Sequence, residues 1–447
     1  MEEVTAKNNE IKLMGIMKID SRGLLNIGGI SAEELVIRYG TPLLVMVEKK
    51  IKDNLSQYIS AFEENYSSFK VLYAAKAFLN RSLCKILARE GAGIDVVSGG
   101  ELYIALKAGF PTRDIYFHGN NKLPAEIRLA VENNIGRFMV DNFYEADLLN
   151  KIAGEYQKKA AVSLRIVPGI EAHTHEYIQT GQLDSKFGVS IANQQALDLI
   201  KTIINHKYLE LKGIHVHIGS QIFNLEPYQK LIEVVFNFLN EVRNETGMIL
   251  EEINLGGGLG ISHINSEKPP TIGEYIKTIT EKVIRESKKE DYPLPRILVE
   301  PGRSIIGDAG VTLYRIGSIK QVPGMTKYIA VDGGMTDNIR PALYEAEYTA
   351  FVANRCQEKA VEEVTVAGKC CESGDILIKN IKLPETETGD ILVIPATGAY
   401  TYPMASNYNG IPRPAVVLVN EGKSEIIVKR ESYSDLLTND VIPERFN

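Results

Sequence analysis

Four cysteines in 447 residues are too few for a disulfide framework. Cys84, Cys356, Cys370 and Cys371 form no C-x-x-C pair, and neighbours such as Cys370 and Cys371 rarely bridge each other. A reducing, cytoplasmic setting is the expectation. The N-terminal stretch MEEVTAKNNEIKLMG is acidic and polar and lacks the apolar centre of a secretory leader. No apolar run approaches the roughly 18 residues of a membrane span, so the sequence predicts a soluble protein with no membrane partner. No Lys/Arg-rich block is present and the net charge is −7, which gives nucleic-acid binding no electrostatic support. Low-complexity segments and solenoid repeats are missing as well. What is there is an ordinary globular composition, 44% apolar and 24% charged. The length suits two or three domains, one of which can be a large α/β barrel.

From about residue 69 the chain repeats one pattern: a short apolar, β-branched run, a polar turn, then a helix-like segment. The runs are FKVLYAAKA, AGIDVVS, DIYFHGN, GRFMVDN, AVSLRIVPG, LKGIHVHIGS, EINLGGG and RILVEPGR. Amphipathic stretches such as RSLCKILAREG and EADLLNKIAGEYQKK lie between them. Strands alternating with helices make a parallel sheet, and the eight runs are the number that closes a (β/α)8 TIM-type barrel. A further run, TPLLVMV at 41–47, is placed outside the barrel, and a helix-like stretch at 49–65 leads in. After about residue 305, GVTLYRIGSIKQV, KYIAVDG, EEVTVAGK, GDILVIP and AVVLVNEGKSEIIVKRE read as strands joined by turns. They predict a second, mostly antiparallel β domain, and the hairpin-like IMKIDSRGLLNIGG at 16–29 is expected to complete it. The expected division is 1–48 for N-terminal strands of the β domain, 49–304 for the barrel and 305–447 for the C-terminal β domain.

Catalytic groups of a parallel barrel sit at the C-terminal ends of its strands. The runs end at Lys76, near Asp95, at His118, at His217, in Gly256-Gly257-Gly258 and at Glu300, so polar groups gather at one end of an apolar scaffold. Lys76 closes an apolar strand. Desolvation there lowers an amine's pKa and makes it nucleophilic, whereas a lysine emerging into solvent gains nothing. The glycine triplet offers backbone N–H groups unhindered by side chains, which is a phosphate site if a helix follows and a tight turn otherwise. Glu300 opens Glu300-Pro301-Gly302-Arg303. It suits holding a proton on a ring nitrogen, and the alternative is a surface pair with Arg303.

His215-Val216-His217 sets two histidines on one face of a strand. Metal hydrolases use that spacing, but the ligands needed to complete such a site are not evident and no metal is expected. His217 as a flat surface against a cofactor ring is more economical, and a packed histidine with no role stays open. His173 and His175, after Pro168-Gly169, receive no metal role. Cys371 beside Glu372 suits proton transfer, or Cys370 and Cys371 are two ordinary buried thiols.

Several motifs occur in a known order: YAAKA at 73–77, GIDVVSGGEL at 93–102, FHGNNK at 117–122 and TGQLDSKFG at 180–188. HIGSQI at 217–222, GGGLG at 256–260, EPGR at 300–303, CESGD at 371–375 and GAYTYPMASNYNG at 398–410 follow. From about residue 25 to the C-terminus, the chain resembles the meso-diaminopimelate decarboxylase family. That family lies in the fold-type III pyridoxal-phosphate (PLP) group, with ornithine decarboxylase and alanine racemase.

The resemblance implies PLP-dependent decarboxylation of meso-2,6-diaminopimelate to L-lysine, with roles residue by residue. Lys76 matches the lysine that holds the cofactor covalently, His217 the residue stacking on its ring and Glu300 the partner of its ring nitrogen. Ser220, Gly256, Gly257, Gly258 and Tyr400 match phosphate-side contacts. Asp95, Arg165, Gly302 and Arg303 match residues lining the cofactor. Arg303, Arg340, Tyr344, Glu372 and Tyr400 match substrate-binding residues, and Cys371 the cysteine implicated in reprotonation. A homodimer with shared active sites is implied, with Cys371 and Glu372 reaching the partner's site. Thr401 and Pro403 stand where relatives often have Gly and Ser. The competing readings are a decarboxylase of another basic amino acid or of carboxynorspermidine, and a non-catalytic regulator derived from a decarboxylase.

Overall fold

The computed structural model describes residues 15–170 and 185–446. His173, His175 and the first part of TGQLDSKFG lie outside the described residues. Contacts divide the chain into two units. One comprises residues 52–261 and 268–305; the other comprises residues up to 51, 262–267 and 306 onward.

The second-named unit begins with a small antiparallel sheet of β1 (Met17–Ile19), β2 (Leu25–Ile27) and β3 (Ile30–Ser31). Asp20 makes the first turn: its Oδ1 accepts from Arg22 N at 2.9 Å and Leu24 N at 3.0 Å, and Gly23 supplies φ +83°. The expected hairpin is therefore present, but it forms its own sheet rather than extending the main one. Its apolar side chains Met17, Leu25 and Ile27 are buried in one cluster with Val45, Leu313 and Val417. β4 (Leu43–Val47) is the TPLLVMV run; all of its residues are buried, and it lies outside the barrel.

The other unit is the barrel. Its strands are β5 (Phe69–Ala74), β6 (Gly93–Val96), β7 (Ile115–Phe117), β8 (Arg137–Val140) and β9 (Ala160–Val167). After the two-residue edge strand β10 (Val189–Ser190) come β11 (Leu209–His215), β12 (Glu252–Asn254) and β13 (Arg296–Val299). Each of the eight predicted runs is one parallel strand, and β13 pairs with β5 to close the ring. Most residues of these strands are buried on both faces, which is why they read as largely continuous apolar runs and not as alternating ones.

The turns that launch the outer helices carry the caps that the sequence rhythm requires. Asn80 accepts from Leu83 N, Ser98 from Glu101 N, and Asn142 from Glu145 N. At the mouth, Lys122 is sealed in. Its Nζ donates to Gly119 O at 2.9 Å, Met139 O at 2.7 Å and Glu145 Oε1 at 2.7 Å, fastening the FHGNNK loop to the next one.

The β unit centres on β14 (Gly310–Gln321), which pairs antiparallel with β4, β15 (Lys327–Val331) and β19 (Ile391–Pro395). β16 (Phe351–Val352) pairs with β19, and β17 (Glu362–Ala367) pairs with β18 (Ile376–Leu383). β20 (Ala415–Asn420) and β21 (Lys423–Val428) form a hairpin. Two pairings are parallel, β15 with β17 and β4 with β20.

The barrel's N-terminal end holds a buried ion pair between the first residues of β8 and β12. Arg137 Nη2 lies 2.6 Å from Glu252 Oε2, with both side chains at or below 10% exposure. Removing Arg137 would leave Glu252 only the more exposed Arg296, 3.5 Å away, so the loss should be at most the roughly 3–5 kcal/mol of a fully stranded buried charge. Arg137→Met is expected to lower the urea midpoint by a corresponding amount, and Arg137→Met with Glu252→Leu to recover most of it. Equal losses in both variants would assign the stability to packing rather than to the charge.

Candidate active site

Lys76 lies just past β5, in a single 3-10 turn, Ala75–Ala77. The strand stops at Ala74, and the turn carries Lys76 outward so that it is exposed while Ala75 and Ala77 are buried. The desolvation expected of a lysine closing an apolar strand is therefore not supplied by the strand itself. The turn is held from two sides: Tyr73 Oη donates to Phe78 O at 2.7 Å, and Ala74 N donates to Pro301 O at 3.2 Å. Gly302 packs against it, since a Cβ there would sit 3.0 Å from the Cβ atoms of Ala74 and Ala77.

Glu300, the first residue after β13, is the electrostatic centre of the barrel's mouth. It is 7% exposed. Oε1 accepts from Asn254 Nδ2 at 2.6 Å and lies 3.0 Å from His118 Nε2. Oε2 lies 3.1 Å from His215 Nε2. Burial alone would raise its pKa, but the two imidazoles outweigh that and hold the carboxyl well below the usual carboxylate range. Burial pushes His215 down to about 4, so it is neutral near pH 7 and donates its Nε2 proton to Glu300.

His118, His215 and Glu300 place ligand-type atoms within 4.8 Å of one another, a cluster the sequence did not make evident. With its Nε2 proton spent on the carboxylate, His215 offers no lone pair there to a metal. Asp95, on β6, faces the same cluster. Among the described residues its Oδ1 has no hydrogen bond, and His118 Nε2 lies 3.7 Å away. Burial and the Glu300 charge raise its pKa, against the pull of His118.

β11 ends at His215, so the two histidines do not share a strand face. His217 lies beyond the strand, where its Nδ1 accepts from Gly257 N at 3.3 Å. Burial, with Lys76 and Arg165 nearby, lowers its pKa well below the ordinary histidine value, so the ring is a neutral plane. The glycine triplet is required by close approach. A Cβ at Gly256, Gly257 or Gly258 would lie 2.6 Å from Val216 O, 2.2 Å from Glu300 O or 2.6 Å from Gly219 O. Gly256 and Gly258 also have φ of +66° and +117°. Ser220 Oγ accepts from Arg303 Nη2 at 3.2 Å. Arg165, on β9, lies 4.0 Å from Asp141 Oδ1 and over the Phe187 ring at 4.4 Å. Its pKa is lowered by burial.

The β unit carries the remaining predicted residues. Arg340 is buried, at 5% exposure, and opens the short helix Arg340–Tyr344; Tyr344 is half-buried. Tyr400 is half-buried with φ +59°. Thr401 is buried and donates to Thr397 O at 2.5 Å, and Pro403 lies in the 3-10 turn Tyr402–Met404, so both departures fit their backbone. Cys371 and Glu372 are exposed, whereas Cys370 is half-buried with its thiol pushed up to about 11 by burial and Asp375. The pair is thus not two buried thiols. Asn254 and His263 were not anticipated. Asn254 was hidden inside an apolar run, and His263 follows the glycine loop at a position with no periodic meaning.

The His215 geometry has a pH consequence. Its folded pKa of about 4 lies below its ordinary value of 6.5. Between those values the unfolded chain binds the extra proton, so stability rises with pH there and is lost as pH falls. Between pH 7.5 and 4.5 this contribution should shrink by about 2–3 kcal/mol. Urea unfolding across that range, compared with His215→Gln, should show a smaller decline in the variant. Parallel declines would place the imidazole in an ordinary, solvated environment.

Comparison with known proteins agrees with this geometry. The family model described as "Pyridoxal-dependent decarboxylase, pyridoxal binding domain" matches residues 50–307. Diaminopimelate decarboxylase of Bacillus subtilis (strain 168) is 47% identical over 429 residues, covering 96% of this chain and 98% of that protein. Its counterpart from Staphylococcus aureus (strain COL) is 45% identical over 425 residues, covering 95% and 99%. The solved diaminopimelate decarboxylase of M. jannaschii in co-complex with L-lysine matches with a TM-score of 0.90 at 38% identity, covering 96% of this chain and 98% of that one. With its barrel, its antiparallel sheet and this degree of identity along nearly its whole length, the chain belongs to the diaminopimelate decarboxylase family of pyridoxal-dependent decarboxylases.

Proposed function

We propose that the protein converts meso-2,6-diaminopimelate to L-lysine and CO2, the last step of lysine biosynthesis, with PLP as its cofactor. The observation that carries this is the Glu300 carboxylate, buried yet held ionised by two histidines and Asn254, beside a glycine loop that no side chain could enter. These residues fit PLP. A ring nitrogen that must stay protonated needs an anion that stays ionised; a phosphate needs N–H donors, for which Gly256 N and Gly257 N would exchange their bonds to Asn254 Oδ1 and His217 Nδ1. Bound PLP supplies an electron sink for the pair released when the bond from Cα to the carboxylate breaks.

The chain's own residues divide the remaining work. Lys76 holds the cofactor from its exposed turn past β5. Glu300 keeps the proton on the ring nitrogen. His217 offers its neutral ring face. Gly256, Gly257, Gly258, Ser220 and Tyr400 receive the phosphate, and Asp95, Arg165, Gly302 and Arg303 line the cofactor. Cys371 returns a proton to Cα.

Substrate choice rests on the end of the substrate that does not react. Arg340 is buried, and its Nε has no hydrogen-bond partner among the described residues. A second carboxylate satisfies such a guanidinium through charge-assisted, bidentate bonds, with Arg303, Tyr344 and Glu372 completing the grip. Ornithine or lysine, bound as substrate with its single carboxylate at the reacting end, would leave it unsatisfied. Purified protein with PLP, offered meso-diaminopimelate, its LL and DD isomers, ornithine and lysine, should release CO2 from the meso compound. Comparable release from ornithine or lysine would overturn the assignment.

The working unit is proposed to be a head-to-tail homodimer in the cytoplasm, where reducing conditions suit four free thiols. Cys371 and Glu372, exposed on the β unit, would then serve the partner's site. Lys76→Ala and Cys371→Ala, each inactive alone, should complement when mixed and allowed to exchange. Half of the dimers are then mixed and each has one intact site, so about a quarter of the wild-type activity returns by counting. Verified subunit exchange without recovered activity would confine Cys371 to its own chain or remove it from the chemistry.

A further inference from the structure

The segment 262–267 interrupts the barrel sequence and groups with the β unit. It brings His263 to Arg340. Arg340 Nη1 lies 3.2 Å from His263 Nε2 and donates to Tyr348 Oη at 2.8 Å. All three side chains are buried, at 4–5% exposure. The His263 and Tyr348 rings meet edge to face, with centroids 5.3 Å apart and planes at 85°.

A guanidinium has only donors. His263 Nε2 must therefore accept, which fixes a neutral imidazole with its proton on Nδ1. Glu267 suits that tautomer. Its Oε2 lies 3.6 Å from Nδ1 and accepts from His263 N at 2.5 Å and Ile264 N at 3.4 Å. Burial would raise the Glu267 pKa, but these bonds from His263 and Ile264 hold it below the ordinary value. The chain of contacts runs from an anion through a tautomer-locked histidine to a buried arginine. His263 and Tyr348 both engage Nη1, which leaves the Nε–Nη2 edge of the fork. That is the edge with two parallel N–H bonds, and its Nε has no hydrogen-bond partner among the described residues.

We propose that His263 is a positioning residue for substrate selection: by accepting from Arg340 Nη1 it turns the Nε–Nη2 edge toward the carboxylate that survives the reaction. This rests on the reading that Arg340 binds that carboxylate. L-lysine, the proposed product, keeps the carboxylate, and cadaverine lacks it. The ratio of their affinities for the PLP-loaded enzyme therefore reports the arginine fork without any turnover.

His263→Ala should weaken L-lysine binding about tenfold or more, the worth of a well-placed bond to a charged group. Cadaverine affinity should stay within about twofold, which also certifies a folded site. His263→Gln, which returns an acceptor, should restore most of the preference. Arg340→Ala should abolish the preference, and adding His263→Ala to it should change nothing further. If Arg340→Ala abolishes the preference and His263→Ala leaves it intact, His263 does not position the fork and the proposal fails alone. Equal loss of both ligands in His263→Ala, with no rescue by His263→Gln, would reduce it to a packing residue and overturn the proposal. If Arg340→Ala keeps the preference, the carboxylate is bound elsewhere and both readings fall.

Discussion

Burying an ionised carboxylate carries a desolvation penalty of several kcal/mol, and much of the barrel's mouth serves to offset that penalty at Glu300. The three groups that do so come from separate strands. His118 follows β7, His215 ends β11 and Asn254 ends β12, while Glu300 follows β13. None of them is a neighbour in sequence, and only a closed ring of strands brings them to one point. The same convergence fixes the glycine loop, because Glu300 N donates to Gly256 O at 2.8 Å and Asn254 Oδ1 accepts from Gly256 N at 3.0 Å. The buried carboxylate and the glycine loop are thus parts of one hydrogen-bonded assembly.

The barrel was legible because its strands are buried on both faces. Apolar runs at a regular spacing survive in the sequence wherever no residue has to face water. The strand-end rule pointed to Asp95, His118 and Glu300, which the structure brings together, without any knowledge of contacts. It missed Asn254, which ends β12 but is followed by Leu255, so that the run EINLGGG reads on unbroken to the glycines. The burial expected of Lys76 is not what the structure has, because a one-turn 3-10 helix can reverse the exposure of a side chain without leaving a trace in hydropathy. His263 was invisible for another reason: its role depends on Arg340, 77 residues further along the chain.

In the β unit the exposed Cys371–Gly374 stretch rests on a buried base. Asp375, buried next to the exposed Cys371–Gly374 stretch, accepts from Met335 N at 2.7 Å and Cys370 N at 2.8 Å. Gly334 and Gly368 leave room for its carboxylate, since a Cβ at either would come within 2.5 Å of an oxygen. Asp337, accepting from Tyr314 Oη and from Gly334 N, secures the adjoining loop. Burial pushes the Asp337 carboxyl up to about 7, so the loop's anchor is neutralised more readily than a surface aspartate.

The partition of the chain also governs how it can emerge from a ribosome. β4 lies between β14 and β20, pairing Leu43 with Leu313 on one side and with Ala415 on the other. Its partners are therefore translated hundreds of residues later, after every strand of the barrel. During synthesis the apolar β4 must wait, with both hydrogen-bonding edges unpaired, while the segment between completes a domain. Such an edge invites pairing with other chains. The β unit is thus the slow, last-formed part of the molecule by topology, and a nascent chain arrested before residue 415 would hold a finished barrel and an unfinished sheet.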